Sequence, residues 1–192
     1  MTIHSDLYDH INSLAIIDTH EHLPFERDRF QGADILSEWL IHYFSCDLIS
    51  AGLSDQELAL VRDPAQDLMK RWNTVEPFWH AAETTGYGRC LSIAARDLYD
   101  IGAINRNTIQ ELNQRFREAL TKGNHYQYVL KEKSKIALSI RDSMSSPYCE
   151  TEDPFVFTLQ VAGFIVPSHI THMRNMAAEV GVEIHTLKDW ME

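Results

Sequence analysis

Hydrophobic residues make up 44% and charged residues 23% of the 192-residue chain, a balance typical of a globular protein with a substantial core. The formal net charge of −11 argues against nucleic-acid binding, because phosphate contacts require clustered Lys and Arg. Three widely spaced cysteines predict no disulfide framework, which favours a reducing cytoplasm. No secretory signal or membrane-spanning stretch is visible, so we expect a cytoplasmic protein without a membrane partner.

The first predicted element is a short buried strand over residues 15–18, which Pro24 prevents from continuing. Alternate side chains of a strand share a face, so Asp18, His20 and His22 are expected to point the same way. Two neutral imidazoles side by side can bind one divalent metal ion, of which zinc is the first choice. Asp18 would then orient a ring nitrogen. The alternative for the whole segment is a polar surface turn.

The next predicted elements are helices, which fill an insertion over about residues 30–133. Apolar residues recur at helical spacing in this section, and Pro77 is expected to break or kink one helix. Gly123 is expected to end another. The predicted helix starts lie at Asp34, Ser54, Asp63, Gly86 and Asn107.

Two more strands are predicted in the last third of the chain, over residues 136–140 and 155–166. Both are apolar on both faces, which is typical of a parallel sheet covered by helices. Helices are predicted from Ser168 to about Glu179 and from Thr186 onwards. The order of elements predicts an α/β fold.

Arg141 and Asp142 end the second predicted strand, which in a barrel would place them at the catalytic rim. Arg141 is therefore a candidate substrate-binding residue, although an ordinary strand-end ion pair is the simpler interpretation. His169 and His172 lie three residues apart on a predicted helix, where a solvated helix face is favoured over a metal site. Surface exposure or partial burial is the simplest interpretation for His42, His80, His125 and His185.

The segment Ile17-Asp18-Thr19-His20-Glu21-His22 resembles the first-strand motif of the amidohydrolase superfamily, and is most similar to the amidohydrolase-related branch that includes uronate isomerase-like proteins. The resemblance implies a (β/α)8 barrel, here a partial TIM-barrel-like fold with a large helical insertion after the first strand. It also implies that His20 and His22 are first-strand metal ligands. Further similar stretches extend over nearly the whole chain, at residues 85–89, 95–99, 125–130 and 182–187.

The other metal ligands implied by this resemblance belong to later strands: a Lys or Glu on the fourth in some members, His on the fifth and sixth, and Asp on the eighth. The sequence has candidates for about three strands, whereas a closed barrel usually needs about 200–250 residues or more. We therefore expect residues 1–192 to form a single, truncated barrel domain. The helix start predicted at Thr186, so near the last residue, fits either a cut sequence or a frayed tail.

Three hypotheses for function follow. The first is a metal-dependent hydrolase that uses metal-activated water on a small-molecule substrate, inactive as this fragment because two histidines leave the ion under-coordinated. The second is an aldose–ketose isomerase for a sugar acid, as in uronate isomerases. The third is a non-catalytic helical remnant or interaction module. An open three-stranded sheet would expose apolar edges, so the fragment should be unstable or associate into a homo-oligomer.

Overall fold

The computed structural model describes residues 2–29, 31–142, 152–158, 169–179 and 181–191. It divides into two compact units. The sheet unit comprises Met1–Phe25 and Gln127–Glu192, and the helical unit comprises Glu26–Tyr126. The helical unit occupies the position of the expected insertion, with boundaries at residues 26 and 126 where the sequence suggested about 30 and 133.

In chain order, the described elements begin in the sheet unit, pass through the helical unit and return to the sheet unit. Short 3-10 and π-helical segments at Glu26–Asp28 and Gln127–Lys133 flank the helical section. The elements are α1 (Ile3–Ser13), β1 (Ile16–Glu21), α2 (Ile35–Trp39), α3 (Phe44–Ser50), α4 (Asp55–Arg62), α5 (Leu68–Ala82), α6 (Gly86–Tyr99), α7 (Ile109–Lys122), β2 (Ile136–Arg141), β3 (Phe155–Phe157), α8 (Ile170–Glu179) and α9 (Leu187–Met191).

The three strands form a parallel sheet in the order β1-β2-β3, which confirms the α/β class and the parallel arrangement. Parallel pairing brings the carboxyl ends of all three strands to one edge of the sheet. Strand β3 begins where expected and ends at Phe157, one residue before the end of the described segment 152–158, and residues 159–166 of its predicted range lie outside the described residues. No helix in the described part of the chain is long and apolar enough to cross a membrane.

Strand β1 forms at the expected place, but it is not buried. The side chains of Ile16 and Ile17 are 48% and 60% exposed, and helix α1 before them has no buried residue. The expectation of a buried first strand is therefore wrong. The physical reason is its position, because β1 lies at the edge of the described sheet and pairs with β2 alone.

The helical unit contains a continuous apolar core, all of whose members lie between Ala33 and Leu120. Its largest fully buried side chains include Trp72 and Trp79, whose rings pack 5.4 Å apart. An ion pair between Arg71 and Asp34 is buried in the same unit. A buried ion pair is stable only when its geometry is good and its remaining N–H groups are hydrogen-bonded. The guanidinium of Arg71 meets this condition through further hydrogen bonds to backbone carbonyl oxygens.

Arg71 connects three helices through its guanidinium. Its Nη1 donates to Asp34 Oδ1 and to the carbonyl oxygen of Val61, each at 3.1 Å, and its Nε donates to the carbonyl oxygen of Gln66 at 3.2 Å. Burial alone would raise the pKa of Asp34, but hydrogen bonds from Arg71 and Ser37 outweigh it and hold that pKa below its usual value. The pair is therefore charged at neutral pH.

Several helix boundaries differ from the predicted ones. The start at Asp63 is wrong: its carboxylate accepts the N–H of Ala65 in a turn, and Asp67 caps α5 through the N–H of Lys70 at 2.8 Å. Helix α5 also continues through Pro77. The capping box at Ser54 and the helix end at Gly123 are confirmed.

Candidate metal centre

The candidate site lies at the carboxyl edge of the sheet, where β1 and β2 end side by side. Glu21 pairs with Arg141 in the parallel register, and the backbone N–H of Asp142 donates to the carbonyl oxygen of Glu21 at 2.8 Å. This hydrogen bond places Asp142 next to His22, although the two residues are far apart in the sequence. Ligand sites in open α/β sheets are commonly found at this edge.

The imidazoles of His20 and His22 face each other through their Nε2 atoms, which are 3.0 Å apart. Their rings are nearly perpendicular, and both side chains are exposed. Two nitrogens bound tetrahedrally to one zinc ion would lie about 3.3 Å apart, since each Zn–N bond is about 2.0–2.1 Å. The observed separation suits either a shared proton or a shared metal ion.

The hydrogen bond made by the other ring nitrogen of His22 determines which nitrogen can bind a metal ion. Nδ1 of His22 lies 3.1 Å from the carbonyl oxygen of Asp142, which can only accept a hydrogen bond. The Nδ1 atom therefore carries the proton, and the lone pair of the neutral ring is on Nε2. A backbone carbonyl that fixes the tautomer in this way is typical of metal-binding histidines.

A carboxylate oxygen of Asp142 completes a group of three donor atoms. The donor atoms of His20, His22 and Asp142 all lie within 4.8 Å of one another. The imidazoles are exposed and Asp142 is half-buried, so the group is open to solvent. Two imidazoles and a carboxylate form a donor set that zinc and other divalent transition metals accept, so the residues present fit such an ion.

Asp18 accepts hydrogen bonds from both strands that carry this group of donor atoms. Its Oδ2 accepts the hydroxyl of Ser139 at 2.8 Å, and its Oδ1 accepts the backbone N–H of His20 at 3.3 Å. The pairing of β1 with β2 shifts by one residue between Asp18 and Glu21, so the simple alternation of faces does not extend from Asp18 to the histidines. The carbonyl of Asp142 takes the ring-orienting position that the sequence suggested for Asp18.

Glu21, between the two histidines, is half-buried. Burial raises the pKa of its carboxyl group, while the N–H of Leu23, which it accepts at 2.6 Å, opposes the rise. The charge of Asp18 raises this pKa further, and those of Arg141 and His22 lower it.

Arg141 rests on two aromatic rings. Its guanidinium carbon lies 4.7 Å from the ring centre of Phe25 and 5.2 Å from that of Phe157. Its Nε atom is buried and has no hydrogen-bond partner in the part of the chain that the structure describes. Cation–π contacts with the ring faces orient the planar guanidinium without using its in-plane N–H donors.

The other sequence candidates do not join the site. His169 and His172 lie at and near the start of α8, both exposed, and His185 is exposed beside Glu183. The residue that sequence reasoning missed as a metal neighbour is Asp142. A signal existed, because two predicted parallel strands that each end in potential ligands must bring them to one edge.

Comparisons of the chain with known proteins leave the amidohydrolase resemblance as a hypothesis from the residues alone. The chemistry of the site is therefore inferred from the geometry of His20, His22 and Asp142. No protein-family model, curated protein or solved structure matches the chain.

Proposed function

We propose that the chain is the metal-binding part of a metal-dependent hydrolase of the amidohydrolase-related type, acting on a small molecule. The observation that carries this proposal is the convergence of the His20 and His22 Nε2 atoms to 3.0 Å, with the tautomer of His22 fixed by the Asp142 carbonyl. A divalent ion bound there, zinc in the first instance, would supply water activated for attack on an amide or ester.

The residues around the histidines hold the pair in position. The hydrogen bonds of Asp18 to the Ser139 hydroxyl and to the His20 backbone fix β1 against β2 just before the first histidine. The Asp142 carbonyl fixes the ring of the second. Ligands held in this way bind metal without first ordering their own side chains, which lowers the entropic cost of binding.

Arg141 is proposed to bind an oxyanion of the substrate. Its guanidinium is stacked on Phe25 and Phe157, and its buried Nε has no hydrogen-bond partner among the described residues. A flat guanidinium with such donors is suited to bidentate recognition of a carboxylate. The same feature favours a second candidate function, the aldose–ketose isomerisation of a sugar acid, whose carboxylate Arg141 would receive. Binding of a uronic acid to the zinc-loaded chain, without binding of an amide or ester, would select this candidate.

We further propose that the sheet belongs to a (β/α)8 barrel interrupted by the helical unit. Three described strands run parallel in chain order, and the candidate site lies at their carboxyl edge. That is the edge at which (β/α)8 barrels carry their catalytic residues. The long helical section between β1 and β2 replaces the single helix of a simple crossover.

Metal analysis of the full chain tests the proposal. The chelator-treated protein is dialysed against zinc and then against metal-free buffer, and bound zinc is measured by mass spectrometry. We expect one ion per chain for the wild type and none for the His20→Ala/His22→Ala variant. His172→Ala, which removes an exposed histidine of α8, is the matched control and should retain the ion. Unchanged zinc content in the double variant, with an unchanged circular dichroism spectrum, would refute the proposed site.

A further inference from the structure

We propose that Asp142 is a third protein ligand, so that β1 and β2 alone provide a two-histidine, one-carboxylate site for a divalent ion. The inference rests on the metal site of the proposed function and extends it. The sequence resemblance implies only His20 and His22 on the first strand and seeks the remaining ligands on later strands. Asp142, which directly follows the second strand, needs no later strand.

Two backbone contacts hold Asp142 in place beside the histidines. Its N–H donates to the carbonyl oxygen of Glu21 at 2.8 Å, and its own carbonyl oxygen lies 3.1 Å from Nδ1 of His22. Asp142 is thus fixed to this segment through both its backbone N–H and its backbone carbonyl. Its side chain therefore starts from a fixed point next to the two imidazoles.

The distances are compatible with one shared ion. Donor atoms from the three side chains lie within 4.8 Å of one another, and the Nε2 atoms of the two imidazoles are 3.0 Å apart. Ligands of a tetrahedral zinc ion are about 3.3–3.5 Å apart, given bonds of about 2.0–2.2 Å to nitrogen and oxygen. Closing the longest separation to this value therefore requires a shift of about 1.5 Å or less.

The donor set also predicts how the site would behave. Two neutral imidazoles and one carboxylate leave a divalent ion with a net charge of +1 and with open coordination positions. Because His20 and His22 are exposed, those positions face solvent. A site with three protein ligands should hold zinc or cobalt much more tightly than the two histidines alone, since each lost ligand must be replaced by water.

The test compares Asp142→Asn with Asp153→Asn in the full chain by titrating zinc into the chelator-treated proteins. Asparagine keeps the backbone contacts of Asp142 and removes the charge, and Asp153 is an exposed carboxylate of the same unit outside the donor group. We expect Asp142→Asn to weaken zinc binding at least about tenfold, the scale found even for outer partners of metal ligands. The control should bind like the wild type.

The outcomes separate this inference from the proposed function. If Asp142→Asn binds zinc like the wild type while His20→Ala and His22→Ala abolish binding, the third ligand is refuted and the histidine site remains. If none of these variants alters zinc binding, both proposals fail. A loss of binding in Asp142→Asn supports the inference only when its circular dichroism spectrum and unfolding midpoint match those of the control.

A second variant gives a direct readout of ligation. Asp142→Cys places a thiol at the proposed ligand position, and cobalt(II) bound to a thiolate produces an intense charge-transfer band in the near ultraviolet. We expect this band on adding cobalt to the variant and its absence in the wild type, which has its own exposed Cys46 and Cys90. Cobalt binding without the band would overturn the assignment of Asp142 even if asparagine disturbed the fold.

Discussion

The helical unit and the sheet unit differ in how far they bury apolar side chains. Every member of the continuous core lies in the helical unit, between Ala33 and Leu120. In the sheet unit, helix α1, strand β1 and the link between them expose large apolar side chains to solvent: Ile3, Leu7, Tyr8, Ile11, Leu14, Ile16 and Ile17. The candidate metal centre is in the sheet unit, where the described residues provide the least packing. Stability and proposed chemistry are therefore located in different parts of the chain.

Breaking the buried ion pair should cause the largest loss of stability, and this loss should be confined to the helical unit. Arg71→Ala leaves the carboxylate of Asp34 buried without its partner, so we expect the free energy of unfolding of the helical unit to fall by about 3–5 kcal/mol. Urea unfolding followed by tryptophan fluorescence measures this loss, because Trp72 and Trp79 are buried in the same unit. Zinc binding under native conditions should persist.

The matched control for this change is Arg96→Ala. Arg96 pairs with Asp97 on the exposed surface of α6, and exposed pairs contribute little. Its unfolding curve should overlay that of the wild type. If the Arg71 variant lost its zinc site together with its helical core, the two units would unfold as one, and the separation drawn between them would be wrong.

Alanine substitution of one isoleucine in each unit compares how much side-chain packing contributes to stability there. Ile109 is fully buried in the helical core, and Ile17 is 60% exposed on β1. We expect Ile109→Ala to cost about 2–5 kcal/mol, because it removes buried methyl groups and leaves a cavity. Ile17→Ala should change stability by no more than about 0.5 kcal/mol. Chemical denaturation of both variants measures the difference, and a large loss on Ile17→Ala would show that β1 is covered in solution.

Local signals explain why much of the helical unit could be predicted. The capping box of Ser54 and Glu57 and the turn at Gly123 depend on residues within a few positions of each other. The continuation of α5 through Pro77 could not be predicted, because it depends on tertiary packing. Trp72 and Trp79 are buried on one face of that helix, and their burial outweighs the hydrogen bond that proline removes.

Local signals predict only part of the candidate site. His20 and His22 are two residues apart, so the pairing of their side chains follows from strand geometry. Asp142 joins them through the register of two strands separated by the whole helical unit, which no local pattern encodes. The shift in pairing between Asp18 and Glu21 changed the role expected for Asp18, and such shifts are likewise set by the neighbouring strand.

The smallest expected effect is a pH dependence of the stability of the helical unit. Burial lowers the pKa of His125, and the charge of Arg29 lowers it further, against a smaller opposing effect of Glu26. Below the ordinary histidine pKa of about 6.5 the unfolded chain binds a proton that the folded chain refuses, so stability falls as pH decreases from 7 towards 5.5. One such group gives at most about 1.4 kcal/mol per pH unit.

His125→Gln tests this dependence, with His42→Gln, which replaces an exposed histidine of the same unit, as its control. Urea unfolding monitored by tryptophan fluorescence at pH 7.0, 6.0 and 5.5 gives the slope of stability with pH. The His125 variant should have a flatter slope than the wild type, and the His42 variant should not. An unchanged slope in His125→Gln would mean that this histidine takes up its proton equally in the folded and unfolded chains. The burial of His125 would then have no effect on the stability of the helical unit at low pH.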